Sequence, residues 1–133
     1  MDFVSVRVIT EDTQRLVAFY EQVLGVTARR YTEDFAELTT PSCTLAIAHS
    51  RTMQMFAGAA RSADNHSVIL EFRVADVDAE HRKVAPLVAA IVQEPTTMPW
   101  GNRSLLFRDP DGNLVNYFTP VTPDAIERFA KRG

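Results

Sequence analysis

A chain of 133 residues, 46% hydrophobic and 23% charged, is long enough to bury a core and too apolar for a disordered segment. Its net charge of −3, with Lys and Arg scattered, argues against a nucleic-acid partner. The single cysteine, Cys43, excludes an intrachain disulfide and, in the apolar run Cys43–Ile47, reads as a small buried residue. No apolar run reaches the length of a membrane span. Met1–Val4 lack the basic-then-apolar order of a secretory signal. A cytoplasmic protein with no membrane partner is expected.

Residues 3–9 alternate as a strand does, with Val4, Val6 and Val8 on one face and Phe3, Ser5 and Arg7 on the other. Asp12 can cap a helix whose apolar stripe is Leu16, Phe19, Tyr20, Val23 and Leu24, and Gly25 can end it in the left-handed conformation. Strands are predicted near 26–32, 35–40 and 43–49. Residues 51–65 form a linker carrying Met53, Met55 and Phe56, read either as pinned on the core or as an apolar lid, with the pinned reading favoured.

The pattern then restarts. Leu70, Phe72 and Val74 alternate with Ile69, Glu71 and Arg73, and Asp76 can cap a second helix with Val77, Val84, Leu87 and Val88 as its apolar positions. Pro86 should kink or end that helix early. Strands are predicted near 90–94, 103–108 and 113–119, the last two joined by the turn Asp109-Pro110-Asp111-Gly112-Asn113. A short helix over about 123–131 closes the chain. Strand, helix and three strands thus occur twice, which predicts an α+β fold of two βαβββ modules, about 1–50 and 66–120, within one domain spanning 1–133. Neither half can bury both faces of its sheet. A cupped, half-barrel mixed sheet is expected, with helices on the valine faces and a cleft lined by the opposite ones.

Three stretches carry a resemblance: Val6–Asp12 with Phe19–Gly25, Phe72–Asp78, and Pro99–Arg103 followed by Phe107–Leu114. In this order they resemble the vicinal-oxygen-chelate superfamily, which includes glyoxalases, bleomycin resistance proteins and dioxygenases. The resemblance implies this fold and a homodimer. It does not select an activity, because such proteins include isomerases, dioxygenases, epoxide-opening resistance enzymes and drug-binding proteins. It also implies a metal site with His or Glu donors at the first and fourth strand of each module. The positions matched here are Phe3, Ala46, Ile69 and Asn116, of which three are apolar and Asn116 alone is a poor anchor. The three histidines, His49, His66 and His81, lie outside those positions.

Other residues on the cleft face suit an organic ligand. Arg7, Arg73 and Arg103 can clamp a carboxylate or phosphate, or can pair with acidic neighbours and hold the sheets. Glu71 reads as a general base or polar hook, or as the partner of Arg7 or Arg73. Trp100, Phe56 and Phe107 can stack a flat ligand, or pack the domain or a dimer interface. The expected function is metal-independent binding of a small molecule, with no cofactor, and sequestration of an antibiotic or toxic compound as one form of it. The alternative is an enzyme of the lyase, isomerase or dioxygenase kind, using a divalent metal at displaced ligands or Glu71 as base.

Overall fold

A computed structural model describes residues 1–131. These form two compact units, each a four-stranded mixed sheet with helices, so the fold is α+β. One unit comprises Met1–His66 with Pro110–Gly112. The other comprises Ser67–Asp109 and the chain from Asn113 onward.

The first unit contains β1 (Ser5–Thr10), α1 (Thr13–Leu24), β2 (Arg29–Thr32), β3 (Phe35–Thr39) and β4 (Thr44–His49), in sheet order β1-β4-β3-β2. β1 runs parallel to β4, and the other pairs are antiparallel. The second unit repeats this: β5 (Ile69–Arg73), α2 (Val77–Val84), β6 (Ile91–Thr97), β7 (Asn102–Arg108) and β8 (Leu114–Pro120), in order β5-β8-β7-β6. A third helix, α3 (Pro123–Ala130), follows. No helix among the described residues is long and apolar enough to cross a membrane.

Local chemistry sets these boundaries. The Asp12 carboxylate accepts from the Arg15 N–H at the start of α1, and Gly25 ends the helix at φ 66°. Leu16, Val17, Phe19, Tyr20 and Val23 of α1 are buried. The Asp76 carboxylate accepts from the Asp78 and Ala79 N–H groups, and α2 stops at Val84, just before Pro86, which cannot continue the hydrogen-bond ladder. Leu87 therefore leaves the expected stripe and is largely exposed.

Two expectations need correction at the edges. The first strand begins at Ser5, not Phe3: Thr44 N–H donates to Val4 O where β4 begins, and Phe3 is exposed. Cys43 is half-buried beside that start, its Sγ 3.6 Å from Val4 O. The linker contains a 3-10 helix, Ser50–Phe56, with His49 Nδ1 accepting from the Arg51 N–H. Met53 is buried against Ile9 and Ala48, with Phe35 beside them, so this part is pinned, while Met55 and Phe56 remain exposed.

Candidate functional site

Each sheet has two chemically distinct faces. In the first unit, Ala36, Leu38 and Ile47 are fully buried on the side packed with α1. Strand alternation places Ser5, Arg7, Phe35, Glu37, Thr44 and Ala46 on the other side.

Arg7 is the centre of that second face. Its Cζ lies 5.2 Å over the Phe35 ring and 5.7 Å from the centre of Phe56. Tyr31 packs on Phe35 at 5.7 Å between ring centres, and Arg29 stacks over Tyr31 at 4.7 Å. Two cations and three rings therefore form one continuous run, Arg29–Tyr31–Phe35–Arg7–Phe56. Such contacts hold a guanidinium by its face and leave the N–H fork free. The Tyr31 hydroxyl donates to Glu37 Oε1 at 2.9 Å, and this bond raises the Tyr31 pKa above its ordinary value.

On the second sheet, Glu71 and Asn116 are direct partners across β5 and β8. Asn116 Nδ2 donates to Glu71 Oε2 at 2.8 Å. The Asn116 side-chain oxygen is buried and has no hydrogen-bond partner among the described residues. A buried carbonyl of this kind is unfavourable for the fold. Ile69 lies on the same face and is 46% exposed. The expected pairing of Glu71 with Arg73 does not form. Arg73 instead donates to the Phe129 carbonyl at 3.1 Å and stacks on the Phe129 ring.

Two candidates lie on the opposite side of that sheet, with α2. Arg103 forms a two-point ion pair with Asp78 of α2, at 3.0 and 3.1 Å, which holds the Asp78 carboxyl below its usual pKa. Phe107 is 0% exposed and packs edge-on against Tyr117 at 5.1 Å. Burial, and secondarily the Glu80 charge, pushes the Tyr117 hydroxyl well above the ordinary tyrosine value. Strand alternation accounts for this placement: Arg103 and Phe107 pair with Thr119 and Val115, whereas Asn116 faces the other way. Trp100 is exposed near α3, its carbonyl accepting from Arg128 at 3.4 Å.

The repeat also corrects the donor map. The spacing from Ser5 to the cap Asp12 equals that from Ile69 to the cap Asp76, so Ser5, not Phe3, is the counterpart of Ile69. The implied donor positions are then Ser5 and Ala46 in the first unit, and Ile69 and Asn116 in the second. Alanine and isoleucine offer no lone pair, and a neutral hydroxyl and amide are weak donors, so these residues do not fit a divalent ion. No group of three His, Cys, Asp or Glu among the described residues is arranged to hold one. His49 sits 3.7 Å from Glu11, and His66 at the same distance from Asp64.

Arg29, Tyr31, Phe35 and Glu37 were not legible as site residues. Their signal in the sequence is the shared strand parity of Arg29 with Tyr31 and of Phe35 with Glu37.

A family model described as the Glyoxalase/Bleomycin resistance protein/Dioxygenase superfamily matches residues 2–117. Among solved structures, a glyoxalase/bleomycin resistance protein/dioxygenase family enzyme from Burkholderia phytofirmans PsJN is 19% identical, with TM-score 0.80, covering 91% of this chain and 100% of that one. A glyoxalase/bleomycin resistance protein/dioxygenase from Nocardioides is 20% identical, with TM-score 0.76, covering 92% and 85%. A protein of unknown function from Agrobacterium tumefaciens str. C58 is 27% identical, with TM-score 0.76, covering 90% and 94%. The comparison with curated proteins returned no match.

Proposed function

The chain belongs to the Glyoxalase/Bleomycin resistance protein/Dioxygenase superfamily, and we propose that within it this protein is a metal-independent binder of a small organic molecule. The observation that carries this reading is Arg7, held by Phe35 and Phe56 rather than by a carboxylate. An exposed guanidinium fixed by rings offers donors in a defined place without first having to break an ion pair. The exposed Glu71 carboxylate, positioned by Asn116, supports the same reading on the second sheet, as a polar hook for a ligand donor. Sequestration of a toxic or antibiotic compound by a cytoplasmic homodimer is the physiological form we favour.

Glu71 supports a second reading. A carboxylate positioned by Asn116 at 2.8 Å meets the geometric requirement for a general base, so a metal-free lyase or isomerase is the alternative.

Thermal unfolding of metal-stripped protein in excess chelator, with and without small aromatic compounds, tests the proposal. A bound compound at a hundred times its dissociation constant should add about 2.7 kcal/mol of stability, as a saturable rise in Tm. If such a rise appears only after a divalent ion is restored, the metal-independent reading falls. Turnover of the bound compound that disappears in Glu71→Gln would favour the enzyme.

A further inference from the structure

The arginines of the first unit divide into two kinds. Arg15, Arg30, Arg51 and Arg61 each pair with a carboxylate. Arg7 and Arg29 pair with none among the described residues and are held by rings instead. Both lie on the sheet face away from α1, together with Tyr31, Phe35 and Phe56. Arg7 is exposed, as are Tyr31 at 49% and Phe56 at 53%. We infer that this face takes a planar aromatic acid, with Arg7 receiving its carboxylate and Phe35 and Phe56 flanking its ring. This rests on the small-molecule reading above and adds the ligand's chemical class.

A guanidinium has five N–H donors, and none from Arg7 is engaged by another described residue. Its stacking contacts restrict the side chain, so less freedom is lost when a carboxylate takes two donors at once. A ring attached to that carboxylate arrives beside Phe35 and Phe56, where offset or edge-on stacking adds affinity. The Glu37 carboxylate accepts the Tyr31 hydroxyl at one oxygen, and its single negative charge is outnumbered by the guanidiniums of Arg7 and Arg29. An aromatic cation would also meet the unpaired charges of Arg7 and Arg29.

The test uses two probes of one shape, 2-naphthoate and neutral 2-naphthamide, titrated into the metal-stripped protein and into Arg7→Met by calorimetry. A hydrogen-bonded charge pair predicts that the wild type binds naphthoate on the order of tenfold more tightly than naphthamide. Arg7→Met should weaken naphthoate binding more than naphthamide binding and so bring the two to parity. Because Arg7 is exposed, a matching urea midpoint is expected to show that the variant folds. Equal affinity for both probes in the wild type, or a preference that survives Arg7→Met, overturns the anion assignment and leaves the small-molecule reading standing. If neither probe binds the wild type, the aromatic-acid assignment falls, and the small-molecule reading is decided by the thermal-unfolding test above.

Discussion

Phe107→Ala is expected to lower the stability of the fold by about 3–5 kcal/mol, a large share of what a domain of this size possesses. The ring is fully buried, lies edge-on to Tyr117, and sits in the layer that includes Leu105 and Val115. Truncation removes apolar burial and leaves a cavity whose walls are strands already fixed by hydrogen bonds, so collapse is limited. Urea unfolding at 25 °C measures the loss. Phe107→Leu should lose much less and keep wild-type affinity for any aromatic probe. A near-neutral alanine variant that instead lost binding would return Phe107 to the role of ligand wall, and the assignment of the α2 face as core would fail.

Gly101→Ala should destabilise by about 3 kcal/mol for a different reason. Gly101 has φ 94°, where an L side chain is strained by about 1–3 kcal/mol. A Cβ there would also collide with Thr122 Oγ1 and crowd Ala125 Cβ at 2.9 Å. Thr122 is the cap of α3, its Oγ1 accepting from the Ala125 N–H, so displacing it removes about 1 kcal/mol more. Gly112 is the internal control: φ is 88°, and nothing lies within 4 Å of an added Cβ. Gly112→Ala therefore carries the backbone strain alone. Urea midpoints of the two variants should differ, with Gly101→Ala the lower. Equal midpoints would show that α3 yields without loss and that the contact with Thr122 is not a constraint.

Much of the fold was legible because the signals were local. Asp12, Gly25 and Asp76 mark helix ends through hydrogen bonds to their own neighbours, and the alternation of Val6 and Val8 or Leu70 and Phe72 marks strand faces. The site was less legible because it depends on register and on partners far along the chain. Phe3 looked like the first donor position, but strand pairing with Thr44 starts at Ser5. Arg103 and Phe107 read from sequence either as ligand contacts or as pairing and packing residues, and only their parity with Thr119 and Val115 puts them under α2. Phe56 was a candidate only as an aromatic on the linker. Its proximity to Arg7 follows from the 3-10 helix that seats Met53 between Ile9 and Ala48, which no periodicity announces.

Metal independence is the central claim, and titration of metal-stripped protein with Mn²⁺, Ni²⁺, Zn²⁺ and Fe²⁺, each followed by thermal unfolding, tests it most directly. The donor positions Ser5, Ala46, Ile69 and Asn116 predict no saturable rise in Tm with any of the four ions. A saturable rise of several degrees at one ion per chain, abolished by Glu71→Gln, would contradict the account and establish a metal centre built on that carboxylate.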